Sequence, residues 1–530
     1  MIEEDKLKSL LPVISRLPAY VLQGALSKDI IDTLRSYNFA TDNYSLAEIV
    51  LMVKGYNIFQ DKELFQEVLE LRSEKKFTFG DNKKSRLFLE SLDLDPDDFL
   101  ITKINYETAI TEPPLSTLHP YQQKIKAHIS RFITSSEEED SLMIQMPTGA
   151  GKTRVAMESI YDFVRIRTHY ESNDVIFWLA HTDELCEQAI QSFLIGYEKI
   201  CTTPVNVLRL WGNVNKIDKI PEGLTFVVCT FQSAYSMLKT SKISVESMLS
   251  ELRSRMRLLY IDEAHMSLAD TFEKTIDFLS SSKTKKIGLT ATPGRDGINQ
   301  ELINTKKLAE FFNNNKIDIT SACGIADPIT FLQEEGILSN INFEPLNTGF
   351  KIDFAGIKAE DIFDVNGKLP SSIIEQISSD KERNKKIIDH IIDLGKYEKK
   401  KILIFAASVD HANILTALLN THDLSARCVT SDSSIADRRN NIKSYKDGTT
   451  QILVNYNVLS TGFDEPKTDC IIITRPTFSV VLYSQMIGRG LRGVANGGTK
   501  DCLVVNVVDN ILNQPDASDA YKYFEGGWNG

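Results

Sequence analysis

The sequence predicts an α/β protein: two tandem parallel-sheet domains of similar size, preceded by a small, mainly helical domain. Three observations predict it. From Leu118, short apolar runs alternate with amphipathic stretches, a βαβ rhythm. The same rhythm restarts after Lys400, whereas residues 1–113 show only apolar residues at helical spacing. The expected domains are 1–113, 114–337 and 338–530. The hinge is expected inside the less regular stretch 300–383, which holds Asn313-Asn314-Asn315 and the Ser371-Ser372 pair.

Taken in order, helical spacing marks Leu7–Ile14, Asp29–Leu34, Leu46–Val53 and Leu64–Leu71. Residues 1–113 carry 14 Lys/Arg against 20 Asp/Glu, a net of −6 out of −12 for all 530 residues. So acidic a helical domain reads as a protein-contact or autoinhibitory module in preference to a nucleic-acid clamp. Asp93–Asp98 lacks the Gly and closing Glu of a calcium loop and reads as a solvated turn. In the first α/β domain the strand candidates are Met143–Gln145, Val175–Ala180, Thr225–Cys229, Leu258–Ile261 and Ile287–Leu289. Helices are expected over Thr153–Phe163, Glu184–Phe193 and Ser244–Met256. In the second they are Ile402–Ala406, Ala426–Val429, Ile452–Val454, Cys470–Ile473 and Cys502–Val507. Glu137–Asp140 reads as a solvated loop, and Lys399–Lys401 as a basic edge.

Composition narrows the function. A net charge of −12 and a pI of 5.4 exclude a protein that coats nucleic acid through bulk positive charge, and leave a local basic groove open. The seven cysteines form no C-x-x-C and the histidines no H-E-x-x-H, so neither a zinc site nor a disulfide framework is expected. No apolar run reaches the roughly 18–20 residues of a membrane helix. The acidic start, Met1-Ile-Glu-Glu-Asp-Lys6, suits no secretory or mitochondrial leader. A cytoplasmic protein with no membrane partner is expected.

Two stretches carry chemistry on their own residues. Met146-Pro-Thr148-Gly149-Ala150-Gly151-Lys152-Thr153 lies between a strand candidate and a helix. A glycine-rich turn there aims backbone N–H groups at one concavity, reinforced by the helix N-terminus. Lys152 would reach the β- and γ-phosphates of ATP, and Thr153 would ligate Mg²⁺. Met146 stands where the strict pattern has Gly, so the string matches the P-T-G-x-G-K-T variant. Leu258–Ile261 runs into Asp262-Glu263-Ala264-His265, 110 residues after Lys152 (262 − 152). A strand end puts Asp262 beside the metal and Glu263 where it can deprotonate the attacking water.

With these motifs in place the chain resembles the superfamily 2 helicases with a DEAH box, above all excision-repair-type helicases and the motor subunits of type I restriction enzymes. The resemblance spans roughly Leu118 to Val508 and implies RecA-like domains. It implies that Gln122 of Leu118-His-Pro-Tyr-Gln122 reads adenine; relatives often have Arg in place of His119. It implies strand contacts at His181 and Thr182 of Leu179–Leu185, at Thr230 and Gln232 of Cys229–Ser233, and at Ser408 of Phe405–Ser408. Thr290 and Thr292 of Gly288–Arg295 would couple phosphate state to the strand through the DEAH segment, His265 included. In Asn455–Asp464, Gly462 allows close approach and Asp464 bears on the nucleotide; many relatives carry Thr in place of Tyr456. Gln485, Arg489 and Arg492 of Gln485–Arg492 would reach across the cleft to the γ-phosphate. The two arginines, three apart, would share one helix face, and Arg suits the role by its planar, permanently charged fork.

The implied activity is ATP-driven translocation on nucleic acid, DNA in preference to RNA and duplex in preference to single strands, in a bacterial repair, restriction or defence setting. The sequence shows no carboxylate–lysine nuclease triad and no methyltransferase motif, so a separate subunit would supply cleavage. The alternative is an ATP-dependent nucleic-acid sensor that signals to a protein partner without separating strands.

Overall fold

The computed structural model describes residues 7, 9–26, 30–31, 42–80, 82–100, 117–135, 139–166, 173–212, 219–240, 242–265, 270–294, 301–350, 370–459, 463, 465–476 and 480–508. Two parallel sheets dominate it. The first has β1 (Ser141–Gln145), β2 (Val175–Ala180), β3 (Asn206–Leu210), β4 (Thr225–Thr230), β5 (Met256–Asp262), β6 (Lys285–Thr290) and β7 (Lys316–Ile317) in the order β3-β4-β2-β5-β6-β1-β7. The second has β8 (Asn340–Asn347), β9 (Ile402–Phe405), β10 (Ala426–Val429), β11 (Ile452–Asn455), β12 (Cys470–Ile473) and β13 (Asp501–Val508) in the order β10-β11-β9-β12-β13-β8. These are two RecA-like lobes. All ten strand candidates fall on strands, and β1, β2, β4 and β5 are almost wholly buried apolar ribbons, as strands covered on both faces must be.

The stretch expected to be irregular is largely built. Glu301–Phe311 is a helix and β7 joins the first sheet. Two short helices, Ile319–Cys323 and Pro328–Glu334, then lead to β8 in the second. The chain therefore changes lobe between Ile317 and Asn340. The polar residues that suggested a hinge do local work: Asn313 Nδ2 donates to Ser141 Oγ at 2.7 Å, and Asn315 Nδ2 to the Ser141 carbonyl at 3.1 Å.

The N-terminal residues form short helices, among them Leu11–Ile14, Asn43–Lys54 and Lys62–Leu71. Asp42 and Asp61 cap the last two through their side chains; most of Asp29–Leu34 lies outside the described residues. Period-2 alternation decides where this module sits. Leu403 and Phe405 of β9 face the core continuous with the first lobe, whereas Ile402 and Ile404 face a core that also holds Leu46, Val50, Phe59, Phe65 and Leu69. The helical module thus shares a core with the second lobe. A buried bond locks it there: the Tyr56 N–H donates to Asp437 Oδ1 at 2.6 Å. Burial pushes the Asp437 carboxyl up to about 7, against the Ser434 hydroxyl and the Tyr56 amide. No helix among the described residues is long and apolar enough to cross a membrane.

Candidate active site

Parallel strands deliver their functional residues to one edge, the carboxyl ends. In the first sheet the order β4-β2-β5-β6-β1 sets side by side Thr230, then His181 with Thr182, then Asp262 with Glu263, then Thr290 with Thr292, and last the glycine-rich turn. The turn leads into the Lys152–Ile166 helix. Gly149 and Gly151 hold φ of +93° and +88°, which L side chains rarely adopt. Ala150, buried, has its carbonyl gripped twice: by the Tyr121 hydroxyl at 2.8 Å and by Gln122 Nε2 at 2.9 Å. Gln122 Oε1 also accepts from the His119 N–H at 3.0 Å. The residue expected to read adenine therefore braces the phosphate loop as well. Tyr121 shares that duty; its place beside Gln122 in the motif was its only sequence signal.

Lys152 Nζ donates to the Met146 carbonyl at 3.2 Å. Desolvation pulls its ammonium down, Glu263 and Asp262 pull it back, and Arg492 and Arg489 oppose them. All five charges therefore act on one point. Asp262 is buried at the end of β5, and burial first, then Glu263, push its carboxyl above the usual range, with Lys152 drawing it back. Glu263 sits at φ +50°. A non-glycine residue held there costs about 1–3 kcal/mol and persists where its surroundings demand it. No sequence signal marked that strain. It turns the Glu263 carboxylate back toward His265, Oε2 to Nδ1 at 3.4 Å. His265 Nδ1 also lies 3.1 Å from Thr290 Oγ1, which donates to the Thr292 carbonyl at 2.9 Å and accepts the Thr292 N–H at 3.1 Å. The chain Glu263–His265–Thr290–Thr292 is continuous, and Thr292 meets the DEAH segment only through Thr290.

The second lobe closes the site. The shared-helix premise for the arginines is corrected here: the helix Val480–Ile487 carries Gln485 but ends before Arg489. Gly488 and Gly490 flank Arg489, and glycine favours leaving a helix. Both arginines nevertheless point inward. Arg489 Nη1 donates to the Phe463 carbonyl at 2.6 Å. Arg492 packs so close to the phosphate loop that a Cβ on Gly149 would stand 2.6 Å from its Nη1. A Cβ on Gly488 would likewise stand 2.4 Å from the Thr148 methyl of the opposite lobe. Gly462 and Asp464 lie outside the described residues.

That close approach carries a prediction. Gly488→Ala should overpack the interlobe contact by about 1–3 kcal/mol and slow ATP turnover by roughly 5- to 150-fold. Steady-state phosphate release at saturating ATP reads it. Turnover equal to the unsubstituted chain would mean the lobes meet elsewhere during the cycle.

The residues expected to touch a strand sit at helix starts. Thr182, Thr230 and Ser408 accept the N–H of Leu185, Ser233 and His411 at 3.3, 3.2 and 3.0 Å. Ser434, which the sequence reading missed, does the same for Asp437 at 3.1 Å. Gln232 is exposed. Across the cleft, Arg438 Nη1 meets Glu184 Oε1 at 2.6 Å, joining two of these helix starts.

The residues fit ATP with magnesium: two left-handed glycines at a helix start, a lysine and two arginines around one concavity, and a hydroxyl and a carboxylate, Thr153 and Asp262, for the metal. Fold and site together define a two-lobed P-loop protein of tandem RecA-like domains. Two family profiles match in series, Type III restriction enzyme, res subunit over residues 115–295 and Helicase conserved C-terminal domain over 382–494. The chain belongs to superfamily 2 of the helicases. It is 30% identical over 363 residues to IRC3 of Saccharomyces cerevisiae, which is named as an ATP-dependent helicase, covering 66% of this chain and 46% of that protein. It is 24% identical over 409 residues to a 51.5 kDa protein of a Lactococcus phage, covering 73% of this chain and 70% of that one. The ATP-dependent Type ISP restriction-modification enzyme LlaBIII bound to DNA has a similar fold, with a TM-score of 0.51 at 12% identity over 88% of this chain and 34% of that one. The chain thus spans about half the length of the yeast relative.

Proposed function

We propose that the chain is an ATP-hydrolysing motor that moves on DNA. One observation carries the reading: Arg489 and Arg492, from the second lobe, act on the same point as Lys152, Asp262 and Glu263 of the first. A site split between two lobes makes lobe closure depend on what lies in it. The glycine-rich turn and Lys152 bind the triphosphate, and Gln122 positions the base. Thr153 and Asp262 would hold Mg²⁺, which when bound neutralises charge developing on the phosphates. Glu263 accepts a proton from water as its oxygen attacks the γ-phosphorus. The bond to the β–γ bridging oxygen breaks, and ADP leaves with that oxygen. Arg489, Arg492 and Gln485 face the transferred phosphoryl group. The Glu263–His265–Thr290–Thr292 chain carries the change along the sheet edge toward His181, Thr182 and Thr230.

Those helix starts, with Ser408 and Ser434 opposite, suit phosphates of a polynucleotide backbone. DNA is favoured by the restriction-enzyme profile and by the DNA-bound relative of similar fold; we assign the motor to repair, restriction or defence on the same ground. The test compares ATP turnover with single-stranded DNA, duplex DNA and RNA at two salt concentrations, alongside displacement of a labelled strand. DNA should stimulate most, and less at high salt. Greater stimulation by RNA overturns the substrate. Stimulation without displacement or translocation turns the reading toward a sensing switch, whose partner surface would be the acidic N-terminal module.

A further inference from the structure

The turn after β11 places an aromatic residue in the row of proposed strand contacts. The order β10-β11-β9 sets Tyr456 between the Thr430–Ser434 turn and Ser408. Adjacent strands lie about 4.8 Å apart, so the Ser434 and Ser408 helix starts flank Tyr456 at roughly one strand spacing on either side. The Tyr456 backbone is pinned, its N–H donating to the Val429 carbonyl at 3.2 Å, and Asn457 turns the chain at φ +57°. Arg475, just past β12, lies with its guanidinium carbon 5.5 Å from the Tyr456 ring centroid. Its Nη1 donates to Asn457 Oδ1 at 2.6 Å. The ring is held yet part-exposed.

We propose that Tyr456 is a stacking platform for a base of the bound strand, with Arg475 and Asn457 as positioning residues that hold its ring. This rests on the nucleic-acid reading above. Cap residues such as Ser408 and Ser434 offer a backbone-directed grip that works on phosphate charge. A ring with a cation against one face offers π-surface, and every base has a π-face to meet it. Such a grip also suits this chain electrostatically. At a net charge of −12 the protein gains little from bulk attraction to phosphates, and stacking does not depend on counterion release.

The experiment measures anisotropy of a labelled single-stranded DNA oligonucleotide and of an abasic oligonucleotide of equal length, with a non-hydrolysable ATP analogue, over a salt series. Tyr456→Ala and Tyr456→Thr should weaken the base-bearing strand by about 5- to 150-fold and the abasic one by less than about twofold. The slope of affinity against salt should stay unchanged. Tyr456→Phe should bind as the unsubstituted chain does. Arg475→Ala should reproduce the base-selective loss in milder form. Tyr456→Leu, which keeps bulk without a π-face, replaces Tyr456→Ala if the latter fails to fold, and carries the same expectation. Loss of affinity in Tyr456→Phe equal to that of Tyr456→Ala, equal loss on the abasic strand, or a shallower salt slope would show a phosphate contact and overturn stacking. Unchanged binding by Tyr456→Ala would overturn it too, with the motor reading intact. An unsubstituted chain that binds neither oligonucleotide nor duplex removes the nucleic-acid reading itself.

Discussion

Glu263→Gln should bind ATP and fail to turn it over, with kcat down by about 10²- to 10⁴-fold, the range general-base catalysis supplies. The argument starts from the backbone. Asp262 ends a buried strand, and the chain then passes through a left-handed residue to deliver Glu263. Glutamine has the same length and shape, so it keeps the turn and still reaches His265. What it loses is a carboxylate able to take a proton. Binding should survive because the groups that meet the triphosphate, the glycine-rich turn and Lys152, are untouched. Asp262 should ionise more readily in the variant, since the Glu263 charge is one of the two causes that raise it. Asp262→Asn should differ, losing affinity for the magnesium–nucleotide complex together with turnover. Rapid-quench phosphate release gives kcat, and a fluorescent ATP analogue gives Kd. Glu263→Gln turning over at the original rate would remove Glu263 as the base.

Why the sequence revealed some of this and hid the rest has a physical explanation. The strands it missed are β3, β7 and β8, and each is an edge strand. Edges need not be apolar on both faces, so they lose the hydrophobic run by which a buried parallel strand is recognised. β8 shows it best: its residues alternate between half-buried and exposed, and it contains Pro345, which an edge tolerates. The site motifs were legible because each needs a particular residue type after a particular strand. Geometry was less so. Spacing placed Arg489 and Arg492 on one helix, yet the glycines that mark the motif also end that helix. Thr182, Thr230 and Ser408 stood out as hydroxyl residues before helices, and Ser434 carries the same signature without a motif around it. The docking of the N-terminal module was not legible. Its partners, Ile402, Ile404 and Asp437, lie more than 300 residues away in the sequence, and local periodicity carries no information about them.

Arg489→Ala should cost about 10³- to 10⁵-fold in kcat, the contribution of an arginine that meets a transferred phosphoryl group, while changing ATP affinity far less. The asymmetry follows from the division of labour between lobes. The first lobe alone holds the glycine-rich turn, Lys152, Thr153 and Asp262, so it can bind nucleotide before the cleft closes. Arg489 belongs to the second lobe and contributes only in the closed form. Its guanidinium already donates to the Phe463 carbonyl, so a loss on truncation could arise from a loosened turn. Arg489→Lys separates the two causes. Lysine keeps a charge at that point but not the planar fork, and should recover only a small part of the rate. Arg492→Ala should also be severe, because its guanidinium packs on the phosphate loop at Gly149. The double variant should fall short of the product of the single losses, since both groups serve one transition state. Single-turnover hydrolysis with equilibrium binding measures all four variants. Arg489→Ala with undiminished turnover would mean that the second lobe takes no part in the chemistry, and a motor cycle driven by lobe closure could not stand.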